Sequence, residues 1–347
     1  MNITFFIGNG FDLNLGLNTR YDDFYRYYKH QMKDSEDLLS NSIRDESNYE
    51  MWSDMEIGLG KLLEDVGENQ VEEFLDSKLK LEELLVRYLK AEQQRIVINE
   101  PNVVGTELYR HILNFQNEFN AVEKERFLTF LNEARQQIHY CFVSFNYTSV
   151  LDEMLKAVAD IWVKKPKRTS KGALFTDKLD DLLHIHGNLT DGIILGLDNQ
   201  EQISNERLKT DTRLNNYIIK SNVNMELGER RIEDTRRIIN QSRYICLFGL
   251  SFGETDRFWW EYLIKWLKRD SNNRLVLYIY GSNGNSVSGP ERIRNRDKER
   301  EKFIERSGCG DADDVKDRII VIFNTDTFSF SKITLLEHAE IEEYTIA

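Results

Sequence analysis

Short apolar runs alternate with amphipathic stretches along most of this chain, a pattern that predicts strands separated by helices. The first run, Ile3–Ile7, is rich in β-forming residues and leads directly into Gly8 and Gly10, which predicts a buried strand followed by a tight turn. The other strand signals lie at Tyr140–Phe145, Leu182–Ile185, Ile193–Leu195, Tyr244–Phe248, Leu275–Tyr280 and Ile319–Phe323. Helical patterns lie between several of these runs, at Ser149–Val163, Asn222–Gln241 and Thr255–Arg269. The alternation predicts an α/β fold with a doubly wound, mostly parallel sheet.

Residues 21–137 show a different pattern, in which aromatic and charged residues recur at helical spacing. A long charged helix is predicted over Gln70–Ile96, Pro101 marks a break, and no strand is predicted. Met51–Glu56 is interpreted as an amphipathic helix, or as a segment that closes over a site elsewhere in the fold. We therefore predict a large helical insertion domain here, with the sheet domain formed by residues 1–20 and 138–347.

Composition and charge exclude several classes of protein. The 347 residues are 40% hydrophobic, too many for a disordered chain, and no apolar run is long enough to cross a membrane. A net charge of −13 argues against DNA as the main partner. Cys141, Cys246 and Cys309 are too widely spaced for a metal-ligand pattern or a disulfide framework. Because the first residues also lack a signal-peptide pattern, a cytoplasmic location is expected.

The turn after the first strand carries the first candidate site. In Gly8-Asn9-Gly10, small residues would let the backbone approach a pyrophosphate, and the following helix N-terminus would add N–H donors. The next glycine, Gly16, comes six residues after Gly10, so this is not the dehydrogenase fingerprint, and a plain strand–helix turn is the alternative. Asp12 either caps the helix or holds a ribose hydroxyl.

Polar residues also follow the later strands. Asn146 lies at the carboxyl end of a predicted parallel strand, where open α/β sheets bind ligands, although it could simply close a turn. His184 and His186 lie on one face of the next predicted strand, which ends at Gly187. A metal pair is one interpretation, but a supporting role for His184 and a general base at His186 fit better. Further on, Gly249 and Ser251 suit a close ribose or phosphate contact.

The order of these motifs resembles a known family. Gly-Asn-Gly-Phe-Asp-Leu at 8–13, Phe-Asn-Tyr-Thr at 145–148, His-Ile-His-Gly at 184–187 and Gly-Leu-Ser-Phe-Gly-x-x-Asp at 249–256 are similar to the AbiH family of bacterial phage abortive-infection proteins. AbiH proteins in turn resemble remote members of the sirtuin-like NAD-binding superfamily. The resemblance implies a sirtuin-like Rossmann domain that binds NAD, and hydrolysis of NAD that starves an infected cell.

The same resemblance implies roles for individual residues. Asn146 and His186 would be catalytic. Cofactor-binding residues would be Gly8, Gly10, Gly16, Gly187, Gly249 and Ser251. Asn9, Phe11, Asp12 and Asp256 lie in the same turns and are predicted to bind the cofactor as well, and no metal is expected. The chain departs from the sirtuin-like pattern at Asn9, Asp12 and Thr148, and it lacks the cysteine pairs of a zinc module, so protein deacylation is not implied.

Two other functions stay open from the sequence. One is a nucleotide sensor without turnover, which Thr148 in place of an aspartate favours slightly. The other is a nuclease or nucleic-acid-binding effector, for which Lys164–Lys171 and Arg292–Lys302 are the basic candidates. The expected partner is NAD or a related nucleotide rather than a nucleic acid or a membrane. A phage-derived trigger and a homo-oligomer also stay open.

Overall fold

A six-stranded parallel sheet forms the centre of this computed structural model, which describes residues 1–45, 48–52, 54–163, 168–281, 286, 288–310 and 312–337. The strands of the described residues are β1 Asn2–Ile7, β2 Ile96–Ile98, β3 His139–Ser144, β4 Arg168–Ser170, β5 Ala173–Phe175, β6 Lys178–His184, β7 Gly187–Asn188, β8 Gly192–Ile193, β9 Ser242–Phe248, β10 Arg274–Ile279, β11 Ile319–Phe323 and β12 Ile333–Leu335. The order across the sheet is β11-β10-β9-β1-β3-β6. Counted along the chain, this is the 3-2-1-4-5-6 order of dinucleotide-binding Rossmann folds. The predicted α/β fold with a parallel sheet is confirmed.

Helices cover both faces of the sheet, as a doubly wound fold requires. Those of the described residues are α1 Gly10–Asn14, α2 Tyr21–Gln31, α3 Leu38–Arg44, α4 Tyr49–Trp52, α5 Met55–Leu62, α6 Val71–Gln94, α7 Pro101–Asn114, α8 Ala121–Glu133, α9 Val150–Val163, α10 Thr212–Ile218, α11 Lys220–Glu226, α12 Arg231–Gln241, α13 Arg257–Arg269 and α14 Gly289–Ser307. Adjacent side chains of β1 reach the two opposite cores: Phe5 packs with Leu108 of α7, and Phe6 packs with Leu263 of α13.

Helices α2 to α6 pack around a third core, which later parts of the chain complete. Phe24, Trp52 and Phe74 are fully or almost fully buried there, together with Leu197 and Leu214 from the segment that follows β8. In contrast, α7 and α8 pack with the sheet rather than with α2 to α6. The division into a helical domain over 21–137 and a sheet domain stays a prediction.

The structure corrects several predictions from the sequence. Residues 21–137 do contain a strand, because β2 pairs antiparallel with β12 and places Val97 opposite Thr334. The strand predicted around Ile193 belongs to a small hairpin with β7, outside the main sheet. The helix predicted over Asn222–Gln241 is two helices, separated by a turn in which Gly228 has a left-handed φ of +69°.

The segment Met51–Glu56 is not one helix. Helix α4 ends at Trp52, Ser53 lies outside the described residues, and the Asp54 side chain caps α5 by accepting a hydrogen bond from the Ile57 N–H at 3.2 Å. Of the predicted basic stretches, residues 164–167 also lie outside the described residues, whereas Arg292–Lys302 lies on α14.

Candidate functional site

Two glycine turns meet at the centre of the sheet, where the strand order reverses between β1 and β9. The Gly10 N–H donates to the Gly249 carbonyl at 2.8 Å, and the Gly8 N–H donates to the Phe248 carbonyl at 2.9 Å. Gly249 has a φ of +70°, and a Cβ there would lie only 2.7 Å from the Gly10 Cα. Contact between the two turns therefore accounts for Gly10 and Gly249, independently of any ligand.

A cleft of about 970 Å³ opens above these turns, outside the carboxyl ends of the strands. Ligands of open α/β sheets bind at this reversal of strand order. The predicted site residues that line the cleft are Gly8, Asn9, Gly10, Asp12, Asn146, Gly249, Ser251 and Asp256. Tyr21, Asp54 and Glu56 line it from the helical side. The structure thus brings eight of the twelve predicted residues to one cleft.

The other four predicted residues, Phe11, Gly16, Gly187 and His186, do not line this cleft. The Phe11 side chain is completely buried in the core of the sheet. Gly16 has a φ of +88° just after α1, and Gly187 has a φ of +75° in the β7–β8 hairpin. Helix α1 has only five residues, so its dipole and free N–H groups are a weaker anion site than the sequence suggested.

Asp12 and Asn146 form the polar wall of the cleft between β1 and β3. Asp12 is 1% exposed, and one carboxylate oxygen, Oδ2, accepts a hydrogen bond from the Thr148 hydroxyl at 2.6 Å. Burial raises the pKa of Asp12 to about 6, although Thr148, Asn146 and His184 offset part of this effect. The buried Oδ1 atoms of Asp12 and Asn146 have no hydrogen-bond partner in the described structure. Such groups are costly to bury unless something binds them.

Asn9 stabilises the glycine turn, and His184 stabilises Asn146. The Asn9 side chain bonds Thr19 through both its oxygen and its nitrogen, so Asn9 ties the glycine turn to the segment before α2. Asn9 also occupies the N-cap position of α1, whereas Asp12 lies within the helix and does not cap it. His184 supports Asn146, because Nδ1 lies 3.0 Å from the Asn146 carbonyl and Nε2 lies 3.0 Å from Asp152 Oδ2.

His186 belongs to a buried network of charged groups beside the cleft. Its Nε2 lies 2.8 Å from Asp256 Oδ1, and its Nδ1 has no partner among the described residues. Lys220 donates to Asp256 Oδ1 at 3.1 Å and to Glu56 Oε2 at 2.8 Å. Burial alone would raise the pKa of Asp256, but Lys220 and His186 outweigh burial and hold it well below its usual range. Asp256 and the Phe145 ring, which lies 5.4 Å from the imidazole, both line the cleft.

Glu56 and Lys220 were not predicted as site residues, although Met51–Glu56 was interpreted as a segment that could close over a site, and Glu56 does line the cleft. Glu56 is 5% exposed and Lys220 is 7% exposed, and burial of a charged residue is the property that marks them. Glu56 lies in the first turn of α5 and Lys220 is the first residue of the short helix α11, so neither belongs to a sequence motif that indicates chemistry. Their roles become visible only where α5, α11 and the turn before α13 meet.

An exposed aromatic ring lies at the other end of the cleft. Tyr280 follows β10 and is 94% exposed. Asn324 fixes the backbone on both sides of it: its N–H donates to the Ile279 carbonyl at 2.9 Å, and its side chain makes two hydrogen bonds to Gly281. The ring is thus presented on a rigid turn.

Within the part of the chain that the structure describes, no helix is long and apolar enough to span a bilayer. No group of three or more His, Cys, Asp or Glu side chains lies close enough together there to hold a metal ion. Cys141, Cys246 and Cys309 are free thiols.

Comparison with models of protein families gave a match over most of the chain. The family model described as "Bacteriophage abortive infection AbiH" matches residues 4–278, which is most of the chain and includes both glycine turns, Asn146, His186 and Asp256. Comparison with curated proteins gave no match.

Proposed function

The chain belongs to the AbiH family, which implies a role in bacteriophage abortive infection. Within that role we propose that it binds NAD in the cleft and hydrolyses it to nicotinamide and ADP-ribose. The observation that carries this proposal is the combination of the Rossmann strand order with a cleft at its reversal point. The volume of about 970 Å³ lies at the upper end of the roughly 300–1,000 Å³ typical of ligand sites.

The hydrogen-bonding groups of the cleft also fit a ribose. The buried, unpartnered Oδ1 atoms of Asp12 and Asn146 are acceptors at the edge of the cleft, and ribose hydroxyls are donors. With a pKa of about 6, Asp12 is largely ionised at pH 7 and above. A buried carboxylate there would stabilise the positive charge that develops on the ribose when its glycosidic bond breaks.

In the hydrolysis, the bond between ribose C1′ and the nicotinamide nitrogen breaks, and its electron pair stays with nicotinamide. The oxygen of water bonds to C1′, and water gives up a proton. We assign His186 as the proton acceptor, because Asp256 fixes Nε2 and leaves Nδ1 without a partner. His186 itself does not line the cleft; it lines a neighbouring pocket of about 620 Å³ that shares Thr255 and Asp256 with the cleft. The attacking water must therefore come within reach of Nδ1 at the boundary between the two.

The direct test is nicotinamide release from NAD by the purified protein, alone and with phage lysate. Loss of a general base lowers turnover about 10²–10⁴-fold, so His186→Ala should lose most of the turnover and keep most of the NAD binding. Asn146→Ala should lower both NAD binding and turnover. Unchanged turnover in His186→Ala would remove His186 from this role, and no NAD binding by the parent protein would overturn the proposal.

A second candidate is a nucleotide sensor without turnover. The position of His186 in the neighbouring pocket favours it, because the assigned base does not line the cleft. Equilibrium binding of NAD with no nicotinamide release, even with phage lysate present, would select the sensor over the hydrolase.

A further inference from the structure

Lys220 lies at the centre of the buried network, between carboxylates from two distant parts of the chain. Its ammonium group donates to Glu56 Oε2 at 2.8 Å, to the Thr255 carbonyl at 3.1 Å and to Asp256 Oδ1 at 3.1 Å. An ammonium group has three N–H donors, so every donor of Lys220 has an acceptor. Glu56 is held equally well, because its Oε1 accepts a hydrogen bond from the Gly196 N–H at 3.2 Å. The position of the Lys220 ammonium is therefore fixed from all sides.

This arrangement decides which nitrogen of His186 carries the proton. Asp256 Oδ1 is an ionised acceptor that faces both the Lys220 ammonium and His186 Nε2. An acceptor must meet a donor, so Nε2 carries the hydrogen in the neutral ring. The lone pair then lies on Nδ1, the nitrogen without a partner. A free lone pair on a fixed ring is what a proton acceptor needs.

The charges of the network favour that acceptor role. Glu56 and Asp256 are carboxylates and Lys220 is the counter-charge, so with a neutral His186 the network has one negative charge in excess. A proton taken up by His186 makes the network neutral, which stabilises the imidazolium in a buried place.

Other titratable groups face the same network. They are Asp54 on α5, Asp198 before α10, and the phenols Tyr21 and Tyr147. Burial raises the pKa of each of them, and that of Asp198 to about 6. The two phenols are therefore neutral near pH 7, whereas Asp198 is largely ionised and adds negative charge near Lys220, in the same direction as Glu56 and Asp256.

We propose that Lys220 and its counter-charge Glu56 are positioning residues for His186: they lock Asp256 so that His186 presents Nδ1 as the proton acceptor. The role in catalysis rests on the proposed NAD hydrolysis, whereas the positioning of His186 is a property of the protein without substrate. The helical segment thereby takes part in the site through Glu56 of α5.

The test is the tautomer of His186, followed by ¹⁵N NMR of histidine-labelled protein and assigned by comparison with His186→Gln, together with the pH profile of NAD turnover. At pH 7.5 we expect the Nε2–H tautomer. Glu56→Gln removes a negative charge from the network and should move the acid limb of the turnover profile to lower pH. The double variant Glu56→Gln with Lys220→Met removes the competing cation beside Asp256 and should move this limb to higher pH. Opposite moves from these two variants are not expected from a structural role alone.

The double variant keeps the network's overall charge, so it should lose less stability than Lys220→Met alone. Lys156→Met, which removes an exposed ion pair with Glu153 on α9, is the control and should leave the tautomer and the pH profile unchanged. An Nδ1–H tautomer, or moves of the pH profile in the same direction in both variants, would overturn the proposal. The Nε2–H tautomer without any NAD turnover would instead support the positioning and overturn the hydrolase.

Discussion

Replacing Asp12 with asparagine should make the protein more stable at neutral pH, although it removes a group from the cleft. The folded pKa of about 6 lies above the ordinary value of 3.8. For a carboxyl group shifted upward, folding loses stability as the pH rises between these two values, because only the unfolded chain ionises freely there. Above pH 6 the loss is complete, and at 1.36 kcal/mol per pKa unit it amounts to about 3 kcal/mol. Asparagine is uncharged and can still accept the Thr148 hydrogen bond, so it avoids this loss.

Urea denaturation of parent and Asp12→Asn proteins from pH 4.5 to pH 8 measures the effect. From the same pKa values, the variant should be more stable by about 1 kcal/mol at pH 4.5 and by about 3 kcal/mol at pH 8. Asp37→Asn is the control with the opposite sign: burial works against ionisation of Asp37, but hydrogen bonds from Ser35 and Ser40 prevail and lower its pKa. That variant should lose stability at pH 8 and approach the parent as the pH falls. A stability difference for Asp12→Asn that stays constant over this range would refute the reasoning.

Three further predictions concern the turns, the cleft and the network. Gly249→Ala and Gly192→Ala both place alanine at a positive φ, which costs about 1–3 kcal/mol of unfolding free energy. Only the Cβ at Gly249 would also overlap with Gly10, so urea denaturation should show the larger loss of stability in Gly249→Ala. Equal losses in the two variants would contradict this. Tyr280→Ala should leave the unfolding free energy unchanged and weaken NAD binding roughly 5- to 150-fold by calorimetry, since base stacking is worth about 1–3 kcal/mol. Tyr280→Phe should retain binding, and unchanged affinity in the alanine variant would show that no base reaches the ring. Lys220→Met should cost about 3–5 kcal/mol of unfolding free energy because it leaves buried carboxylates unpaired, and adding Glu56→Gln should recover part of it; no recovery would mean that the two residues are not coupled.

Five strands of the main sheet, β1, β3, β9, β10 and β11, were predictable because each contains a run of β-forming apolar residues that is buried on both faces. β1 is the clearest case, with all six residues buried. The edge strand β6 has polar residues and is only partly buried, so only its last part was predicted. The missed strand β2 and its partner β12 have three residues each and are only partly buried, so their sequences carry no strong periodic signal. The β7–β8 hairpin depends on tight turns at Gly187 and Gly192 rather than on a hydrophobic pattern.

The cleft was predictable to the extent that its residues follow strands. Asn146, Gly249 and Ser251 come directly after β3 and β9, and parallel strands bring their carboxyl ends to one edge. Glu56 and Lys220 are 164 residues apart and come from helices, so only the packing of α5 against α11 reveals their partnership. The sequence also suggested that His186 would line the cleft, but the residue lines a neighbouring pocket, where it contacts the Asp256 carboxylate.

The central place of β1 constrains how this chain is made. β1 pairs with β9, and Ile7 lies opposite Phe248, so the ribosome adds more than two hundred residues before this partner exists. At roughly 5–20 residues per second, the wait is on the order of 10–50 s. During that time the apolar edge of β1, with Phe5 and Phe6, is free to pair with strands of other nascent chains. Chaperones that cover this edge during synthesis should therefore raise the yield of native protein in a cell.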